Sequence, residues 1–135
     1  MGTTSASTAG LPTSVAQILA DARAGLDRLG PEQAHAAMEA GALLVDIRSD
    51  SQRARDGLIP GARFVPRNVL EWRLDPACPH RDYELGRREA RIVLLCDEGY
   101  QSSLAAATVR SFGVSATDVI GGFRAWRAAG LPVER

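Results

Sequence analysis

The residue best placed for chemistry is Cys96, which directly follows the apolar run Ile92–Leu95 and precedes a short loop. In an open parallel α/β sheet, reactive groups gather at the carboxyl ends of the strands. A helix is predicted after the loop, so loop amides and the positive end of the helix dipole would converge on the Cys96 sulfur. Both interactions favour the thiolate, the nucleophilic form of cysteine. Gly99 allows the loop to turn tightly, and Ser102 and Ser103 are candidates for capping the helix.

A strand, a cysteine, a tight loop and a helix suit two kinds of chemistry: holding a persulfide, or holding a phosphate or arsenate. A cysteine-dependent phosphatase typically carries an arginine six positions after the cysteine, where it clamps the phosphate through two hydrogen bonds. That position is Ser102 here, Gln101 precedes it, and Asp97 and Glu98 add negative charge at the rim. We therefore predict that the loop holds a dianionic phosphate poorly and that a persulfide is the better candidate.

The elements that must position this loop form an alternation of apolar strands and amphipathic helices. The pattern is typical of an α/β fold whose mostly parallel sheet is covered by helices on both faces. Strands are predicted at 26–29, 42–45, 64–65, 92–95 and 118–120. Helices are predicted at 14–24, 31–40, 68–74 and 103–112, with a short helix within 48–56 and a final helix after residue 122.

The composition is that of a globular protein, with 45% hydrophobic and 24% charged residues in a chain of 135 residues. The formal net charge is zero, which gives no support for nucleic-acid binding through a basic field. No apolar run approaches the roughly 20 residues of a membrane span, so no membrane partner is predicted. All sixteen basic residues are arginine, which we interpret as the mark of a GC-rich bacterial genome.

Three segments are predicted along the chain. Residues 1–12 are rich in Ser, Thr, Ala and Gly and lack the features of a signal peptide, so they are predicted to be a disordered tail. Residues 13–25 are predicted to be an N-terminal helix, and residues 26–135 a single domain.

The two cysteines, Cys78 and Cys96, stand in unlike contexts, which favours reduced thiols and a cytoplasmic setting over a disulfide. No role is predicted for Cys78.

Four motifs then carry a specific resemblance. They are Leu43–Arg48 (LLVDIR), Asp56–Ala62 (DGLIPGA), Ile92–Ser102 (IVLLCDEGYQS), and Gly121–Trp126 (GGFRAW) followed by Gly130-Leu-Pro132. In this order they resemble the rhodanese-like domain family over about residues 28–134. The resemblance implies an α/β fold around a parallel sheet of about five strands, a six-residue active-site loop at 96–101, and sulfurtransferase activity.

The chemistry of such an enzyme needs one nucleophile and no cofactor or metal. The Cys96 thiolate would attack the outer sulfur of a small-molecule or protein donor and hold that sulfur as a persulfide. A thiol or another nucleophile, such as cyanide, would then remove it in a ping-pong reaction. The oligomeric state is left open.

The expected site has three groups of residues. Cys96 is the catalytic residue. Substrate contacts are expected from Asp97, Glu98, Gly99, Tyr100, Gln101, Ser102 and Arg67, the last as a source of positive charge. Asp46, Arg48 and Ser103 are expected to support the site structurally, with substrate contact as the alternative for the first two. Trp72, Phe123 and Trp126 are expected in the core or in the pocket wall.

The sequence departs from the family pattern at two places. Members that act on thiosulfate often carry basic residues in the loop, whereas this loop carries Asp97, Glu98 and Gln101. We therefore expect thiosulfate to be a poor donor, and Asp97→Arg or Gln101→Arg to lower its KM. Leu58 stands where many members have histidine, a change expected to affect local packing only.

Two other functions stay open at this level. One is a non-catalytic rhodanese-like binding module that recognises a partner through the 97–101 loop, against which the intact Cys96 argues. The other is a cysteine-dependent phosphatase or arsenate reductase, against which the missing arginine argues.

Overall fold

The computed structural model describes residues 14–135, so the predicted tail at 1–12 lies outside the described residues. The helices are α1 (Val15–Ala24), α2 (Pro31–Glu39), α3 (Asp50–Asp56), α4 (Leu70–Leu74), α5 (Gln101–Arg110) and α6 (Gly122–Ala128), with a 3₁₀ turn at Arg67–Val69. The strands are β1 (Leu43–Asp46), β2 (Arg63–Phe64), β3 (Arg91–Leu95) and β4 (Ser115–Asp118).

The four strands form one parallel sheet in the order β2-β1-β3-β4. In the register, Val45 of β1 lies opposite Leu94 of β3, which in turn lies opposite Asp118 of β4. The strand predicted at 26–29 is reduced to a single parallel bridge between Leu29 and Val119. The α/β class with a central parallel sheet is therefore confirmed, with four strands where about five were expected.

Alternate side chains of β3 enter two separate cores, one on each face of the sheet. Ile92 and Leu94 pack in the core that contains Val109 of α5, whereas Val93 and Leu95 pack with Phe123 and Trp126 of α6. Because both faces of the sheet are apolar, helices must cover both of them. The carboxyl end of β3, where Cys96 follows, therefore lies between α5 on one face and α6 on the other.

Local signals in the sequence set several helix starts. The Ser14 hydroxyl accepts the Gln17 N–H at 3.1 Å at the start of α1. Ser49 and Gln52 form a reciprocal capping box at the start of α3. No helix within residues 14–135 is long and apolar enough to cross a membrane.

Three further predictions were wrong. Helix α5 begins two residues before the predicted start at 103, and strand β4 lies at 115–118 instead of 118–120. The strand lies earlier than predicted because residues 115–118, three of which are polar, pair with Arg91–Leu94 of β3. Trp72 is 55% exposed and belongs to neither the core nor the cleft described below, whereas Phe123 and Trp126 are fully buried.

Candidate active site

The Cys96 thiol lies directly after β3, at the carboxyl edge of the sheet. The residue is buried, with 6% of its surface exposed. Its Sγ accepts two backbone hydrogen bonds, from the Gly99 N–H at 3.2 Å and from the Ser102 N–H at 3.3 Å. The predicted convergence of loop amides on the sulfur is therefore present in the fold. Two N–H dipoles aimed at one sulfur stabilise negative charge on it.

The loop keeps this shape because its backbone packs against the start of α6. Gly99 has a φ of +85°, and a Cβ on it would lie 2.7 Å from the Gly121 nitrogen. The Phe123 N–H donates to the Cys96 carbonyl at 2.8 Å, and the Arg124 N–H donates to the Asp97 carbonyl at 3.1 Å. A side chain at position 99 would therefore push the loop away from α6.

A cleft of about 590 Å³ opens over Cys96. The following residues line it: Ile47, Arg48, Ser49, Asp50, Gln52, Phe64, Pro66, Arg67, Asn68, Cys96, Asp97, Glu98, Tyr100 and Gln101. The cleft therefore brings most of the predicted site residues together. Four predicted site residues do not line it: Asp46, Gly99, Ser102 and Ser103.

The two carboxylates at the rim of the cleft, Asp97 and Glu98, are paired with an arginine that the sequence analysis did not single out. Arg124 places its Nε 2.9 Å from Asp97 Oδ2 and 3.7 Å from Glu98 Oε2. The hydrogen bond that Arg124 donates to Asp97 raises the pKa of this arginine above its usual value. Sequence reasoning missed Arg124, although its place next to the Gly121-Gly-Phe turn was a signal. Arg67 lines the cleft as predicted, but it also forms an ion pair with Glu71 at 2.9 Å.

The sequence matches the model of the rhodanese-like domain over residues 30–129. The chain belongs to the rhodanese-like domain family. This confirms the resemblance drawn from the four motifs. The chain is 36% identical over 101 residues to the thiosulfate sulfurtransferase GlpE of Stutzerimonas stutzeri, an alignment that covers 74% of this chain and 84% of that protein.

Solved structures agree with this assignment. A thiosulfate sulfurtransferase from Pseudomonas aeruginosa is 30% identical with a TM-score of 0.65, over 81% of this chain and 19% of that larger one. A protein of unknown function from Rhodopseudomonas palustris, described as a possible tyrosine phosphatase, is 32% identical with a TM-score of 0.81, over 93% of this chain and all of that one. The GlpE relative and the Pseudomonas aeruginosa enzyme assign the chain to the rhodanese-like sulfurtransferases.

In this rhodanese-like domain, Asp46 and Arg48 form a buried pair beneath the cleft. Arg48 donates from Nη2 to Asp46 Oδ2 at 2.8 Å and from Nε to Oδ1 at 3.0 Å, and both side chains are almost fully buried. The guanidinium also lies 3.9 Å from the centre of the Phe123 ring and donates to the Gly57 carbonyl. These contacts tie β1 to α6 and to the end of α3, which supports the structural reading of the pair.

The two serines of the rhodanese-like loop do not cap α5 as expected. Ser102 and Ser103 lie inside the helix, and both hydroxyls donate to Asp118 Oδ2, at 2.7 and 2.8 Å. Sequence reasoning missed Asp118 and Arg28, the arginine that binds it. The available signal was topological, because Asp118 ends β4 at the same edge of the sheet at which Cys96 follows β3.

The second cysteine and His35 lie away from the cleft. Cys78 is half-buried and absent from the cleft lining, and both cysteines are free thiols. His35 packs edge-on against the Trp126 ring at 5.5 Å. Among residues 14–135, no group of three or more His, Cys, Asp or Glu is placed to hold a metal ion.

Proposed function

We propose that this sulfurtransferase carries sulfane sulfur as a persulfide on Cys96 and passes it to a thiol acceptor. The observation that carries the proposal is the pair of backbone hydrogen bonds from Gly99 and Ser102 to the Cys96 Sγ. Backbone donors fixed in a loop cost no reorganisation when negative charge develops near them. They can therefore stabilise the thiolate before the reaction and the persulfide after it.

The reaction proceeds in two displacements. The Cys96 thiolate attacks the outer sulfur of the donor, the donor's S–S bond breaks, and its electron pair leaves with the departing group, which is sulfite when the donor is thiosulfate. The acceptor thiolate then attacks the terminal sulfur of the persulfide, which forms the acceptor persulfide and returns the Cys96 thiolate. Neither leaving group needs a general acid, so the absence of histidine from the cleft lining is no obstacle.

The donor and acceptor reach Cys96 through the cleft. Tyr100 and Gln101 are exposed on one side of it, and Arg67 lies on another. The acceptor thiol and Cys96 must both stay reduced between turnovers, so we place the protein in a reducing compartment, the cytoplasm. A non-catalytic binding module would use the same exposed side chains, but it would not need the buried thiol.

The donor preference depends on the charge of the cleft, and Gln101 is the position at which this can be tested. Gln101 lines the cleft, is exposed, and makes no ion pair, whereas Asp97 is bound to Arg124, so Asp97→Arg would set two cations side by side. We expect Gln101→Arg to lower the KM for thiosulfate about three- to tenfold, the size of one partly screened charge interaction. The gain should shrink at high salt.

Steady-state kinetics at two ionic strengths measure this effect. The matched control is Gln17→Arg, which adds the same charge on the exposed face of α1, outside the cleft. Equal KM values in Gln101→Arg, Gln17→Arg and the unchanged protein would show that charge at the cleft does not govern donor choice.

A phosphatase is the second candidate, because the Rhodopseudomonas palustris protein of similar structure is described as a possible tyrosine phosphatase. Ser102 occupies the position at which a cysteine-dependent phosphatase carries its phosphate-binding arginine. The Ser102 hydroxyl is already bound to Asp118. Ser102 is fully buried, so it cannot reach a ligand in the cleft.

One set of assays separates the two candidates. We expect thiocyanate to form from cyanide with thiosulfate or inorganic polysulfide as donor, with the parallel double-reciprocal lines of a ping-pong reaction. We expect no hydrolysis of small aryl phosphates. Hydrolysis of an aryl phosphate that is lost in Cys96→Ser, without thiocyanate formation, would replace the sulfurtransferase proposal by the phosphatase.

A further inference from the structure

Two arginines lie behind the Cys96 loop, on the side away from the cleft. We infer that Arg28 and Arg23 are positioning residues for sulfur transfer: they hold the loop so that its amides point at the Cys96 sulfur. The inference rests on the proposed function and adds to it a part of the site that residues before the family match supply. Neither arginine lines the cleft, so neither is a substrate-binding residue.

Arg23, Arg28 and Asp118 form a cluster behind the loop, and its first contact is made by both arginines to the Gly99 carbonyl. Arg23 donates to it from Nη2 at 2.7 Å and Arg28 from Nη2 at 2.9 Å. Hydrogen bonds from a charged donor are about twice as strong as those between neutral groups. The N–H of the same residue, Gly99, donates to the Cys96 Sγ. The two guanidinium groups therefore fix the glycine that supplies one of the two sulfur-binding amides.

The second contact fixes the residue that supplies the other amide. Arg28 binds Asp118 with both Nε, at 2.8 Å, and Nη2, at 3.1 Å. Asp118 is fully buried and accepts the hydroxyl of Ser102 at 2.7 Å. The Ser102 N–H is the second donor to the Cys96 Sγ. Arg28 therefore acts on both sulfur-binding residues, on Gly99 directly and on Ser102 through Asp118.

Further contacts by Arg23 hold the loop and the start of α5. Its Nε donates to the Ser103 hydroxyl at 3.1 Å, and its guanidinium lies 5.4 Å from the centre of the Tyr100 ring. Arg23 is at the end of α1, whose packing against α5 brings it to this place. Both arginines precede residue 30, where the match to the family model begins.

The charges of the cluster also suit an anionic sulfur. Arg28 is paired with the Asp118 carboxylate, whereas Arg23 binds the neutral Gly99 carbonyl and Ser103 hydroxyl, so the two arginines and Asp118 together leave one positive charge behind the loop. The loop itself carries Asp97 and Glu98 and no basic residue. Positive charge therefore lies behind the backbone of the loop, where the part-buried surroundings screen it less than water would.

The test compares Arg28→Gln and Arg23→Gln with Arg91→Gln. Arg91 is a matched control, because its guanidinium also donates to a distant backbone carbonyl, that of Ala40 at 3.0 Å, far from the loop. Hydrogen exchange of single amides, measured by NMR, is the readout that reports position. We expect the Gly99 and Ser102 amides to exchange about tenfold faster in both loop variants, while the Leu94 amide in β3 keeps its rate. Arg91→Gln should change neither.

We expect displacement of the loop to lower kcat and to leave the KM for the donor nearly unchanged. We expect kcat for thiocyanate formation to fall about ten- to hundredfold in Arg28→Gln, with the KM for the donor within about twofold, because misplacement of reacting groups lowers the rate of chemistry. Arg28→Lys should recover part of the loss, since a lysine can still bind Asp118. If Arg28→Gln fails to fold because the Asp118 charge is left unpaired, Arg23→Gln decides, since Arg23 does not bind Asp118.

The positioning role would be overturned if the Gly99 and Ser102 amides of the folded variants kept their exchange rates. It would also be overturned if the Leu94 amide exchanged faster by the same factor as these two. This result differs from failure of the proposed function. The exchange measurement needs no substrate, so it can support or reject the role of the arginines even if Cys96 forms no persulfide.

Discussion

Replacement of Cys96 by serine is expected to lower the rate of sulfur transfer at least about 10³-fold, as is usual when a covalent nucleophile is lost. The hydroxyl of serine is similar in size to the thiol and can accept the same two amide hydrogen bonds from Gly99 and Ser102. The free energy of unfolding should therefore change by no more than about 1–2 kcal/mol. Thiocyanate formation and thermal or urea unfolding measure the two quantities.

The matched control is Cys78→Ser, at the other cysteine of the chain. Cys78 lies outside the cleft lining, and its Sγ accepts a hydrogen bond from the His80 N–H at 3.4 Å. We expect this variant to keep most of its activity. Sulfur transfer in Cys96→Ser at the rate of the unchanged protein would remove Cys96 from the mechanism.

The second large effect is expected at Gly122, the first residue of α6. Its φ is +59°, and a Cβ there would lie 2.4 Å from the Cys96 carbonyl oxygen and 2.7 Å from that of Asp97. These are the two carbonyls that the Phe123 and Arg124 N–H groups bind. Gly122→Ala must therefore separate α6 from the loop or strain both. We expect a loss of about 3 kcal/mol or more in the free energy of unfolding, and a loss of activity of about a hundredfold.

Gly113→Ala is the control that separates backbone strain from the clash. Gly113 also has a positive φ, +95°, but a Cβ there would meet no atom within 4 Å. Its alanine variant should lose only about 1 kcal/mol, the cost of the left-handed conformation, and keep its activity. If Gly122→Ala and Gly113→Ala behave alike in unfolding and in sulfur transfer, the close approach of α6 to the loop is not important.

The parts of the site that depend on neighbouring residues could be predicted from the sequence. Cys96, Gly99 and the amide of Ser102 belong to one stretch between a strand and a helix, so their order along the chain is enough to predict that loop amides face the sulfur. The alternation of strands and helices likewise predicted the class of fold, because each element buries a face that its own periodicity reveals.

The parts that depend on distant residues could not be predicted. Arg23 and Arg28 reach Gly99 across 76 and 71 residues, and Arg28 reaches Asp118 across 90. Nothing in a single sequence pairs one of sixteen arginines with one particular carbonyl. The same reason explains the wrong bounds of β4 and α5. Residues 115–118 pair with β3 although three of the four are polar, and Ser102 and Ser103 look like caps until their hydroxyls are seen on Asp118.

The central claim is that Cys96 accepts a sulfur atom, and intact-mass spectrometry tests it most directly. The protein is incubated with thiosulfate or inorganic polysulfide, freed of donor, and weighed before and after treatment with cyanide. We expect a gain of one sulfur atom in the unchanged protein and in Cys78→Ser, its removal by cyanide, and no gain in Cys96→Ser. A gain that persists in Cys96→Ser, or no gain in the unchanged protein with either donor, would contradict the account.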